Sequence, residues 1–102
     1  MKKKMLPVHP GEILFEEFLK PLNITQEQLS NEIKVPVKQV NEILKGNCRL
    51  TADNALRLAR YFKMTPHYWM GLQVDYEIDL AQDKLEETIN KEVSLCPAFA
   101  VA

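Results

Sequence analysis

Between residues 11 and 72 the apolar positions recur in steps of three and four, and the runs are broken at Pro21, Pro36, Gly46 and Thr65-Pro66. That spacing places side chains on one face of an α-helix, so the pattern predicts five helices in one domain. His9-Pro10-Gly11-Glu12 starts the first, because Pro suits the first helical position and a carboxylate favours the positive helix end. It runs to about Lys20, with Ile13, Leu14, Phe18 and Leu22 as its core face and Pro21 interrupting the pattern.

Thr25 caps the second helix, in which Leu29 and Ile33 lie one turn apart. Pro36 biases Val35 away from helical angles, so this helix ends near Lys34, and Pro36 itself suits the first turn of the third. The third helix turns Val37, Val40, Ile43 and Leu44 inward, shows Lys38, Gln39, Asn41, Glu42 and Lys45 outward, and stops at Gly46. Thr51 caps the fourth, Ala52 to about Lys63, with Ala55, Leu56, Ala59 and Phe62 inward and Arg57 and Arg60 outward. Thr65-Pro66 starts the fifth, where Tyr68, Trp69, Leu72 and Tyr76 bring large apolar area to the core.

From Asp75 the periodicity continues through Ile78, Ala81, Leu85 and Ile89, an amphipathic helix to about Lys91, although Tyr76-Ile78-Leu80 also alternates as a strand would. Residues 93–102 carry no charge and contain Pro97, which marks an apolar, irregular tail. The expected organisation is therefore a helical domain over residues 1–92 and a tail over 93–102.

Charge changes the picture. The 102 residues carry a net charge of −1, but residues 25–63 hold seven Lys/Arg against four Asp/Glu, and residues 74–102 hold two against seven. A basic surface can thus exist on a chain that is acidic overall. Two short helices joined by a three- or four-residue turn are what a helix-turn-helix requires, with the second helix entering the major groove of double-stranded DNA. Lys38 and Gln39, at the start of the third helix, are the leading candidates for base contact, followed one turn on by Asn41 for adenine and Glu42 for a cytosine amino group. Gln26, behind the Thr25 cap, is placed to hold a phosphate with helix-end N–H groups, and Lys45, Asn47 and Arg49 extend the phosphate contacts.

Other chemistry is not called for. Cys48 and Cys96 are far apart in sequence without metal-ligand spacing and are expected as reduced thiols, His9 and His67 are isolated, and no nucleophile motif is present. The sequence therefore predicts a non-enzymatic protein needing neither cofactor nor metal. No apolar run approaches the roughly 20 residues of a membrane helix, which predicts a cytoplasmic location with no membrane partner.

Thr25-Gln26, Leu29, Ile33, Val35, Val40, Ile43 and Gly46 together resemble the helix-turn-helix of phage-repressor-like (XRE) regulators. More specifically, His9-Pro10-Gly11-Glu12-Ile13-Leu14, the run from Thr51 to Phe62, and Thr65-Pro66 to Trp69 with Leu72-Gln73 resemble HigA-type antitoxins over roughly residues 7–82. The resemblance implies an all-α, five-helix, phage-repressor-like helix-turn-helix fold with an extended C-terminal helix or tail. It further implies a homodimeric repressor of its own operon that binds operator DNA and neutralises a HigB-type, ribosome-dependent mRNA-cutting toxin. Lys34 stands where related regulators often have Gly, so a lysine is expected at a left-handed angle. Asn47-Cys48 replaces the more basic loop common after Gly46, where Arg49 is expected to restore the charge. A repressor of the same class without a toxin is the alternative, and the acidic segment after Val74 suits a basic partner.

Overall fold

The computed structural model describes residues 6–100, which form five helices and one short turn of 3-10 helix. The lysine-rich start, Lys2 to Lys4, and the last two residues of the tail lie outside the described residues. We number the helices α1 (residues 10–22), α2 (Gln26–Ile33), α3 (Val37–Leu44), α4 (Ala52–Phe62) and α5 (Pro66–Glu92). No strand occurs among the described residues, and the 76–80 segment is helical.

α1 begins as expected at Pro10, but it continues past Lys20 with Pro21 inside it. Its middle, Leu14–Leu19, is π-helical, and the Lys20 N–H is donated to the Phe15 carbonyl five residues back. Proline lacks an N–H, and its ring clashes with the carbonyl four residues earlier in an α-helix. A wider turn just before Pro21 relieves that clash without ending the helix. The extra residue also shifts the buried face. Leu14 and Leu19 are each 2% exposed, whereas Leu22, expected inward, is 57% exposed.

α2, α4 and α5 each open on a threonine whose hydroxyl accepts a backbone N–H, from Gln28, Asn54 and Tyr68 respectively. Around Trp69, which is fully buried, pack Phe18 at a centroid distance of 5.0 Å and Phe62 at 6.3 Å. Leu29, Val40, Leu50, Ala55 and Leu58 complete the centre of the core. In α4 the inward residues are Ala55, Leu58 and Ala59, with Phe62 partly buried; Leu56, expected inward, is 58% exposed because it lies about a quarter turn from that face.

The break between α2 and α3 is built from polar contacts. Lys34 takes the left-handed conformation, φ 62° and ψ 44°. Both the Lys34 and Val35 N–H groups are donated to the Ser30 carbonyl, and the Ser30 hydroxyl is donated to the Val35 carbonyl. From α4, Arg57 donates to the Ile33 carbonyl at 2.9 Å and the Lys34 carbonyl at 3.4 Å, satisfying acceptors that a helix end leaves open. Arg57 is exposed as expected, yet its guanidinium holds the turn.

The start of α1 is clasped to the other end of α3. His9 Nδ1 accepts the Gly11 N–H and His9 Nε2 donates to the Cys48 carbonyl, each at 2.9 Å, which requires the neutral ring with its proton on Nε2. A β-carbon on Gly11 would lie 1.9 Å from the Ile43 carbonyl oxygen, so the two backbones touch where only glycine fits. Gly11→Ala is expected to destabilise the fold by about 2–3 kcal/mol through overpacking. A thermal melt should show a midpoint lower by roughly 10 °C or more.

Candidate nucleic-acid interface

Val40 and Ile43 anchor α3 in the core at 2% and 4% exposure, which turns its remaining positions outward or toward α2. Unlike the threonine-started helices, α3 begins at Pro36 with no side-chain cap. Its first N–H groups therefore stay open at the end of the helix where the dipole favours negative charge. Val37, expected inward, is 42% exposed at this same end, since the burial of Val40 and Ile43 already sets the inward side.

The candidate residues occupy different environments. Lys38 is exposed, and its side chain makes no hydrogen bond or ion pair among the described residues. Gln39 is half-buried, and its Nε2 donates at 3.4 Å to Oδ1 of Asn54, which also accepts from the Thr51 hydroxyl at 2.9 Å. Asn41 is half-buried and donates from Nδ2 to Oε1 of Gln26 at 3.0 Å, while its own Oδ1 is buried without a hydrogen-bond partner among the described residues. Glu42 is half-buried, and its charge adds to the burial that pushes the Cys48 thiol up from its ordinary pKa.

Gln26 and Lys45 come together. They line one cavity of about 350 Å³ with Leu44 and Gly46, and Glu12 supplies an acidic wall. Gly46 has φ 78°, the left-handed conformation expected of it, so the chain turns away directly after α3. Asn47 and Arg49 line a second cavity of about 250 Å³, with His9, Gln73 and Glu77 among its other walls. There Arg49 Nε donates to Glu77 Oε2 at 2.7 Å, and Gln73 Nε2 donates to the same oxygen at 2.8 Å. Gln73, 1% exposed, accepts the Leu50 N–H at 2.7 Å and so ties the loop after α3 to α5.

Sequence reasoning did not mark Ser30, Asn54 or Gln73 as supports of this face. Asn54 carried a signal: it stands three residues after the Thr51 cap, the spacing of a capping box. Among the described residues no group of three or more His, Cys, Asp and Glu side chains is placed to hold a metal ion, and no helix is long and apolar enough to cross a membrane.

The helix-turn-helix family pattern matches residues 15–69. The chain is 42% identical to virulence-associated protein I of Dichelobacter nodosus, over 81% of this chain and 78% of that one. It is similar in structure to an addiction-module antidote protein of the HigA family from Coxiella burnetii, with a TM-score of 0.86 and 42% identity over 90% of this chain and all of that one. The antitoxin HigA of Pseudomonas aeruginosa, solved with the higBA promoter, superposes with a TM-score of 0.83 at 38% identity, covering 86% and 96% of the two chains.

The Glu77 pair generates a pH dependence. The Arg49 guanidinium, then the Gln73 amide, hold the Glu77 carboxyl below the usual carboxylate range. A carboxylate with a lowered folded-state pKa contributes stability that is complete above its unfolded value and lost as pH falls through the folded one. Glu77→Gln is expected to melt below wild type at neutral pH, and the difference should shrink on acidification below the carboxylate range. Melting curves at a series of pH values measure it.

Proposed function

The chain belongs to the helix-turn-helix family, and within it to the HigA-type antitoxins, and from that premise we propose that it is an autorepressor and antitoxin: a homodimer that reads double-stranded operator DNA and neutralises a HigB-type, mRNA-cutting toxin. The observation that carries the DNA reading is the uncapped start of α3, with Lys38 exposed and Val37 beside it. The Pseudomonas relative held on its promoter supports the same use of this fold.

In this reading α3 lies in the major groove. Lys38 donates to guanine O6 or N7, Val37 packs on a thymine methyl, and Gln39 offers the amide edge that Asn54 leaves free. Gln26, Lys45 and Asn47 hold phosphates on either side, while Arg49 reaches one only by sharing its charge with Glu77. Glu42 sits near a cytosine amino group and penalises other bases.

One helix reads few base pairs, so a second copy supplies the other half-site about 34 Å away. The exposed stripe on α5, with Ile78, Leu85 and Ile89 between 45% and 51% exposed, supports pairing of two chains. Seven acids after Val74 against two lysines suit a basic, RNA-cutting partner.

Fluorescence anisotropy on DNA from upstream of the gene, against a shuffled duplex, tests the reading. Wild type should prefer the native duplex by about a hundredfold or more, with affinity falling steeply as salt rises. Lys38→Ala should lose about tenfold on the native duplex and relax the preference at one base pair. Equal loss on both duplexes would make Lys38 a phosphate contact. Co-expression with the neighbouring reading frame tests the toxin: an RNA-cutting protein should co-purify and be inactive in the complex, and without one the chain is a repressor alone.

A further inference from the structure

We propose that Asn41 is a positioning residue that holds the Gln26 amide with its N–H groups toward a DNA phosphate, and that it does not read a base; this rests on the DNA-binding reading above. An asparagine recognises adenine with both ends of its amide, donating to N7 and accepting from N6. In Asn41 the two-ended contact is not available: Nδ2 already gives one N–H to Gln26 at 3.0 Å, and Oδ1, the acceptor that adenine N6 would need, is buried. A buried acceptor without a partner is uncommon and unfavourable. Asn41 tolerates that cost in the position where its Nδ2 bridges the two helices.

The polarity of that contact decides what Gln26 can do. Asn41 Nδ2 occupies Gln26 Oε1, so the donors at Gln26 Nε2 remain for an outside group. A phosphate oxygen accepts hydrogen bonds and cannot donate them, so this is the orientation that binds it. The opposite orientation would present the phosphate with a carbonyl oxygen. Gln26 is the first residue of α2, where the Thr25 hydroxyl takes the Gln28 N–H and leaves neighbouring first-turn N–H groups open. Lys45, the residue after α3, lines the same cavity. Gln26 and Lys45 thus share one cavity, whose lining includes one acid, Glu12. Because Asn41 lies on α3 and Gln26 on α2, the grip on the phosphate is tied mechanically to the helix in the groove.

The test is a double-mutant cycle on the full-length protein, read by anisotropy on the upstream duplex and on copies with single base-pair changes in each half-site. Asn41→Ala should weaken binding about fivefold to tenfold, less than the full loss of a charge-assisted hydrogen bond because Gln26 keeps its donors and loses only their orientation. The loss should be equal on every duplex that wild type reads. Asn41→Ala combined with Gln26→Ala should bind no more weakly than Gln26→Ala alone, and the Asn41→Ala effect should vanish when the contacted phosphate is replaced by a methylphosphonate. Asn41→Asp, which accepts only and would draw the Gln26 N–H groups inward, should weaken binding by more than tenfold. Melting midpoints report folding separately. A loss confined to one base pair, or one that adds in full to Gln26→Ala, would overturn the proposal, as would an effect that survives methylphosphonate. If wild type itself does not prefer the upstream duplex, the DNA reading falls and the proposal with it.

Discussion

The contact between Gly11 and the Ile43 carbonyl leaves no room for a side chain, and the presentation of α3 depends on it. A helix that is to read DNA must be short, exposed along one side, and still immobile. α3 has only eight residues, too few to hold itself in water, so its stability comes from what grips it. At its C-terminal end the grip is backbone on backbone at Gly11, reinforced by the His9 clasp on the Cys48 carbonyl. At its N-terminal end Ser30 and Arg57 occupy the carbonyls of the turn. Between the ends, Val40 and Ile43 sink into the core. With both ends fixed, the remaining positions of α3 are free to carry whatever chemistry the groove demands.

That chemistry is dominated by amides. Gln39 is tied to Asn54, and Asn41 to Gln26. Side-chain amides are neutral and directional, so they contribute orientation where lysines contribute attraction. The free charge at the proposed interface resides mainly in Lys38 and Lys45, while Arg49 is paired with Glu77. The net charge of −1 belongs to the whole chain, and the seven Lys/Arg against four Asp/Glu in residues 25–63 leave the helix-turn-helix segment basic.

α5 gives the molecule its shape. Its 27 residues span about 40 Å, and the Cα radius of gyration is 17.5 Å where a compact chain of this length has about 13 Å. The first half of the helix belongs to the core through Trp69 and Gln73, and from Glu77 onward every described residue is exposed. The distal half keeps an amphipathic pattern whose apolar side, Ile78, Leu85 and Ile89, stays about half exposed among the described residues.

The sequence by itself determined the five helices, the threonine starts, the break before Pro36 and the left-handed turn at Gly46, because these are local effects of caps, prolines and glycine that act within one turn of chain. The family was legible for the same reason, since its motifs are runs of such local signals. Three things were decided only by tertiary structure. The helix α1 absorbs Pro21 by widening, which buries Leu19 and exposes Leu22, while Phe18 on the same helix packs against Trp69. Lys63 ends α4 at positive φ without being glycine, as Lys34, expected at such an angle, does for α2; at Lys63 it is a strain that residue type does not announce. The amide pairs join residues fifteen positions apart, and nothing within one turn of chain could say which of these polar side chains faces solvent and which is spoken for. That assignment required the angle between α2, α3 and α4, which is a property of the packed core.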